Sequence, residues 1–143
     1  MSDYRVLLID DEEAFVVALA ERLELRGLTV VTAGDGEAAL AHARATAFDA
    51  VLLDMAMPGL DGLDTLKGLL AINPDQQVIL LTGRATLSQG VEAMKLGALD
   101  LIEKPAEIGT LVAKIAEAAT RKASLEHERV DTRMKDILRK KGW

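Results

Sequence analysis

The chain has 143 residues, half of them apolar and only four aromatic, which is one domain's worth of sequence with an aliphatic core and no room for a second folded domain. It contains no cysteine, which excludes a disulfide framework or a thiolate metal site; no stretch approaches the ~20 apolar residues that span a bilayer; and the opening MSDYRVLLIDDEE is unlike a signal peptide, so a soluble cytoplasmic protein is expected. Net charge is −6, but residues 1–120 carry nine Lys or Arg against nineteen Asp or Glu while residues 121–143 carry eight against four, and the acidic body argues against nucleic-acid binding.

Short aliphatic runs alternate with helical patterns along the chain. YRVLLI at 4–9 reads as a first strand, apolar on both faces as a buried parallel sheet requires. A helix follows from about Glu12 to Arg26, with Phe15, Ala18, Leu19 and Leu23 on one face and Gly27 as its stop. LTVV at 28–31 is a second strand, and Asp35 or Gly36 opens a second helix through Ala39, Leu40 and Ala43. AVLL at 50–53 is the third strand, and the helix after Gly62 carries Leu63, Leu66, Leu69 and Leu70. VILLT at 78–82 precedes a helix over about 87–96 that ends before Gly97, LDLI at 99–102 is a fifth strand, and a last helix begins near Pro105. Five strands alternating with five helices predict an α/β sandwich around a parallel sheet.

Right-handed crossovers bring the C-terminal ends of all strands to one edge, where open α/β sheets hold their ligands. The first strand ends there in Asp10 and Asp11, the third in Asp54, the fourth in Thr82, and the fifth, two residues on, in Lys104. Each has a bland explanation alone: a helix cap for an Asp, a turn before Pro58-Gly59 for Asp54, a strand residue, a solvated lysine. Three acids, a hydroxyl and a lysine at matching ends of four strands are a much rarer coincidence.

The segments LLIDDEE at 7–13, VLLDMAMPGLDG at 51–62, LLTGRAT at 80–86 and VEAMKLGALDLIEKP at 91–105 together resemble the receiver domains of two-component response regulators over roughly residues 3–120. The resemblance implies a flavodoxin-like (βα)5 fold with a five-stranded parallel sheet in the order 2-1-3-4-5. It implies a phosphoryl group accepted by Asp54 from the phosphohistidine of a sensor histidine kinase or histidine phosphotransfer protein. By the same analogy Asp10 and Asp11 hold Mg²⁺ together with Asp54 and the backbone carbonyl of Ala56. Thr82 and Lys104 contact the phosphoryl oxygens, and a cis Lys104-Pro105 bond turns the ammonium inward. Such a protein is a phosphoacceptor with self-phosphorylation and dephosphorylation chemistry, not a turnover enzyme.

Elementary chemistry agrees with these roles. Carboxylates ~4 Å apart repel by roughly 4 kcal/mol at an effective dielectric of 20, so such a triad calls for a cation, and an oxygen-only site with few ligands suits Mg²⁺. Phosphoryl transfer is mostly positioning and stabilisation of charge on the equatorial oxygens, for which an ammonium and a hydroxyl are suitable donors. Two rival chemistries fit less well. A haloacid-dehalogenase-type phosphatase needs a second acid two residues after its nucleophile, where this chain has Ala56; a flavodoxin would cradle phosphate in the loop that here reads DDEE. A docking module that is never phosphorylated is a third reading, and the presence of all five site residues counts against it.

In the family a hydroxyl residue and an aromatic on the fifth strand move together on phosphorylation; the aromatic position is Leu101 in this chain. Output through the fourth helix, fifth strand and fifth helix, about residues 86–120, toward a downstream protein target is the expectation. Arg84, two past Thr82, is read as a solvated arginine beside the site, His42 and His127 as surface residues, and Met55 and Met57 as packing.

Residues 121–143 form a charged extension to the 1–120 receiver, too short for an output domain. Neither Gly nor Pro lies between Thr110 and Lys141, and Leu125, Val130, Met134 and Ile137 recur at near-helical spacing, so the fifth helix is expected to continue as an amphipathic extension that pairs with a partner helix or a second protomer as a homodimer. The overall expectation is a stand-alone receiver acting through protein contacts; the alternative is the regulatory half of a larger regulator.

Overall fold

The computed structural model describes residues 3–56, 62–83 and 87–142; Met57, Pro58, Gly59 and Arg84, singled out above, lie outside them. The elements alternate strictly: β1 (Arg5–Ile9), α1 (Glu13–Leu25), β2 (Thr29–Ala33), α2 (Gly36–Ala45), β3 (Ala50–Asp54), α3 (Gly62–Ile72), β4 (Val78–Thr82), α4 (Leu87–Leu96), β5 (Asp100–Glu103) and α5 (Ile108–Lys140). The strands form one parallel sheet in the order β2-β1-β3-β4-β5, the expected flavodoxin-like topology with a C-terminal helical extension.

Parallel strands covered on both faces need apolar side chains on both, and β3 and β4 are buried at every residue. Alternate strand residues feed two separate cores. Leu7, Ile9, Val51, Leu53 and Leu80 pack with Phe48, Leu66 and Leu69 under α2, α3 and α4. Val6, Leu8, Leu52, Ile79 and Leu81 pack with Val16, Leu19, Leu23, Leu111 and Ile115 under α1 and α5.

The helix boundaries have local causes. Asp35 caps α2, its carboxylate accepting from the Ala38 N–H at 2.8 Å. Gly27 and Gly97 follow α1 and α4 at φ 86° and 120°, where a side chain would be strained, and so end both helices. The core face of α1 is rotated from expectation: Val16 joins Leu19 and Leu23 inside, Ala18 faces solvent, and Phe15 is half-buried at the end nearest the acidic edge.

Helix α5 runs through residue 120 without a break, at 33 residues or ~50 Å. It starts at the edge of the sheet where strands end and descends past the opposite edge. There it is fastened to the loop before β4: Arg129 donates through Nε and Nη2 to both carboxylate oxygens of Asp75, the Nη2 bond measuring 2.9 Å. This forked pairing holds the Asp75 carboxylate below its ordinary range, chiefly through the Arg129 hydrogen bonds against the opposing effect of burial. Beyond it Val130, Met134 and Ile137 are exposed. Among the described residues no helix is long and apolar enough to cross a membrane.

Candidate functional site

The acidic pocket forms where β1, β3, β4 and β5 end together. Asp54 is the last residue of β3, in register with Leu81, which sets Thr82 one step further along β4 and beside Glu103 of β5. Asp10 directly follows β1, its N–H donating to the Ala33 carbonyl at 3.1 Å. Its Oδ1 accepts from the Glu12 N–H at 3.0 Å, an Asx-type turn that starts the β1–α1 loop; the N-cap of α1 is Glu12, so neither Asp10 nor Asp11 is there to cap that helix. Asp54 makes the equivalent turn, accepting from the Ala56 N–H at 3.2 Å.

These two turns orient the Asp10 and Asp54 carboxylates, and Asp11 joins them from the β1–α1 loop. One oxygen each from Asp10, Asp11 and Asp54 lies within 4.8 Å of the others. Asp10 and Asp54 are buried, at 1% and 3% exposure, while Asp11 is at the rim. Burial pushes the Asp54 carboxyl up from its ordinary range, with the Asp10 charge adding to it, against the Ala56 N–H and Lys104.

Lys104 balances part of this charge from above. Its Nζ donates to Asp10 Oδ2 at 2.9 Å and stands 3.5 Å from Asp54 Oδ1. Desolvation alone would lower its proton affinity, but the Asp10 hydrogen bond and the two carboxylate charges outweigh it and hold the ammonium above its ordinary range. The Lys104 N–H bonds the Thr82 carbonyl at 2.7 Å, fixing β5 to β4 at the pocket, and the Lys104-Pro105 peptide is cis, as the resemblance implied. Thr82 is fully buried and its hydroxyl has no hydrogen-bond partner among the described residues. A buried hydroxyl without a partner is costly, and here it belongs to the strand beside the one that ends in Asp54. Of the predicted site residues, Asp10, Asp11 and Asp54 form one cluster with the Lys104 ammonium against it, while Thr82 and Ala56 adjoin it through the backbone, the Thr82 carbonyl accepting from the Lys104 N–H and the Ala56 N–H donating to Asp54.

The donor set fits a hard divalent cation. Three carboxylates with their mutual repulsion, and no nitrogen or sulfur ligand grouped with them among the described residues, suit Mg²⁺ coordination with room for water. Met55 is buried in the core beneath, as expected of a packing residue, and His42 and His127 are exposed.

Two site features were missed in the sequence. The Lys104 Nζ sits 4.5 Å from the centroid of the Phe15 ring. Gly90 of α4 lies against the pocket wall, and a Cβ there would come within 2.6 Å of Leu101 Cδ1 and 3.1 Å of Thr82 Cγ2. A glycine inside a helical pattern lowers helix stability, so Gly90 in LSQGVEAM was itself a legible signal of close packing. Gly90→Val is expected to lower stability by about 1–3 kcal/mol through overpacking against Leu101 and Thr82. Urea unfolding measures this; an unchanged midpoint would mean that Leu101 swings out at no cost.

Comparison with known proteins gives consistent results. A profile of the family described as response regulator receiver domain matches residues 6–116. The chain is 36% identical over 124 residues to the transcriptional regulatory protein PrrA of Mycobacterium leprae, covering 87% of this chain and 53% of that one. It is 35% identical over 123 residues to the transcriptional regulatory protein ZraR of Escherichia coli, covering 86% of this chain and 28% of ZraR. The chain thus spans about half, or less, of these curated relatives. A crystal structure of a response regulator receiver domain protein from Clostridium thermocellum superposes with a TM-score of 0.81 at 35% identity, over 85% of this chain and 98% of that one.

Proposed function

We propose, from the premise that this chain belongs to the receiver-domain family of response regulators, that it takes a phosphoryl group onto Asp54 and signals by protein contact. The observation that carries the reading is the buried Thr82 hydroxyl, unpartnered among the described residues, on the same sheet edge as Asp54 and the Lys104 ammonium.

In the proposed reaction an Asp54 oxygen attacks the phosphorus of a phosphohistidine on a histidine kinase or phosphotransfer protein. The O–P bond forms as the P–N bond breaks, and the leaving imidazole takes up a proton. Asp10, Asp11, Asp54 and the Ala56 carbonyl would hold Mg²⁺. When bound, that ion would neutralise the approach of an anionic donor to an anionic nucleophile. Lys104 supplies a fixed positive charge beside the attacked group, and its partial burial makes that charge stronger than it would be in water. Thr82 supplies a hydroxyl donor that, among the described residues, has no competing bond to give up. The raised proton affinity of Asp54 sets a lower pH bound: the nucleophile is the carboxylate, so uptake falls as the medium becomes acid enough to protonate it.

Signalling through α4, β5 and α5 is supported by Leu87, Val91 and Leu96, which stand 43%, 49% and 41% exposed on α4. It is also supported by Gly90, which couples α4 to Thr82. We place the receiver at residues 1–120, the extension at 121–143, and the protein in the cytoplasm. A second reading, a regulatory domain of a larger regulator, is favoured by the short share of PrrA and ZraR that the chain spans. The test is incubation with Mg²⁺ and a small-molecule phosphodonor, followed by intact mass. One added phosphoryl group, absent when a chelator is present, is expected; an unchanged mass under all conditions would leave a docking module as the better account.

A further inference from the structure

We propose that Phe15 is a positioning residue for phosphoryl uptake: its ring holds the Lys104 ammonium over the acid cluster when Asp10 is engaged elsewhere. The inference rests on the receiver reading of the pocket.

Among the described residues Lys104 Nζ has three charged or ring neighbours: Asp10 Oδ2 at 2.9 Å, Asp54 Oδ1 at 3.5 Å and the Phe15 centroid at 4.5 Å. Two of the three are residues that the proposed chemistry occupies. A cation bound by the carboxylates claims the oxygens of Asp10, and an esterified Asp54 no longer offers the same charge. The ring alone is uncommitted in every state. Its negative face attracts an ammonium without taking a hydrogen bond, which leaves all three N–H donors free for oxygens in the pocket. Lysine on its own is a flexible four-carbon stem ending in a strongly hydrated charge, and this one is 21% exposed, so water competes for it.

Phe15 is placed for this task by the chain. It is the third residue of α1, just after the acidic loop, and its ring packs against the α1–α5 core without being swallowed by it. The other phenylalanine, Phe48, is 1% exposed in the opposite core. A pure filling role for Phe15 would depend on shape; a positioning role depends on the ring's electrons.

The experiment separates the two by replacing Phe15 with 4-fluoro- and 3,4,5-trifluorophenylalanine, which drain the ring face at almost constant shape. Phe15→Leu, Phe15→Tyr and Phe15→Trp accompany them. Uptake is measured as the initial rate with phosphoramidate and Mg²⁺. In that reaction the P–N bond breaks, ammonia leaves with a proton and the Asp54 O–P bond forms, with no kinase surface involved. A graded slowing is expected, reaching about two- to fivefold for the trifluoro and Leu proteins, with Tyr and Trp retaining the wild-type rate. In metal-free protein the Lys104 ε-methylene protons are expected to show a ring-current shift that Phe15→Leu removes.

A flat fluorination series, Tyr as slow as Leu, or Lys104 resonances that ignore Phe15 would each overturn the proposal. No uptake even by the wild-type protein would mean that the receiver reading has failed, and the proposal with it. Uptake that is lost in Asp54→Asn but indifferent to the fluorinated rings would sink the proposal alone.

Discussion

Asp54→Asn is expected to abolish phosphoryl uptake and, in metal-free buffer at neutral pH, to make the protein more stable. The first effect follows from removing the proposed nucleophile: uptake falls by at least about 10³-fold, to background, because an amide oxygen would not form the acyl phosphate. The second follows from the pocket's electrostatics. Asp54 is buried beside Asp10, and burial raises its proton affinity above the unfolded value of 3.8. A carboxyl raised in this way favours the fold fully only below the unfolded pKa. That contribution is lost as pH rises through the folded pKa, because the native state then holds a charge it would prefer to neutralise.

Asparagine keeps an oxygen to accept the Ala56 N–H but carries no charge, so the variant escapes the penalty. A gain of about 1 kcal/mol, or about 2–5 °C in Tm, is expected at pH 7, narrowing as pH falls toward 4. Added Mg²⁺ should reverse the order, since the wild-type protein offers it one more anionic ligand. Thermal melts with and without Mg²⁺ check this. Equal melting points in all four combinations would show that the three carboxylates do not act as one site.

Lys104→Met is expected to produce the largest loss of stability at this edge. It leaves Asp10 and Asp54, both almost inaccessible to water, without their cation. Breaking a buried pair from one side costs about 3–5 kcal/mol; partial exposure of Lys104 discounts this to about 2–3 kcal/mol. The pH profile identifies the cause. Lys104 has its proton affinity raised above 10.5, so its contribution is fully present below that pH and is given up as pH climbs through the higher folded value. The wild-type protein should therefore lose stability on the alkaline side more steeply than the Met variant. On the acid side the two should converge as Asp54 gains its proton. Urea unfolding across pH 4, 7 and 11 is the measurement, and a difference that does not change with pH would assign the loss to packing of the lysine stem.

Much of the fold was legible because a parallel sheet buries both faces of its strands. Runs such as AVLL and VILLT have no other economical explanation, and Asp35, Gly27 and Gly97 marked helix ends by their local chemistry. The gathering of Asp10, Asp11, Asp54, Thr82 and Lys104 at one edge followed from topology plus the family resemblance. Spacing alone could not pair Lys104 with Asp10, 94 residues away.

What stayed hidden depended on rotation and long-range contact. The helical face chosen for α1 was turned by about one residue, because Phe15 and Val16 are equally apolar in the sequence and only the sheet decides which points inward. That ambiguity concealed the ring beneath Lys104. Gly90 stood out in the sequence as a glycine inside a helical pattern, but that Leu101 and Thr82 are what it packs against emerged only from the coordinates. The Asp75–Arg129 fork, 54 residues apart, carries no local pattern at all.

That fork marks where the grip of the domain on α5 ends. Leu111, Ile115, Ala118 and Ala119 before it are buried, while Val130, Met134, Ile137 and Leu138 after it are exposed, so the last ~17 Å from Arg129 to Lys140, at 1.5 Å per residue, carry their apolar side chains outside the core.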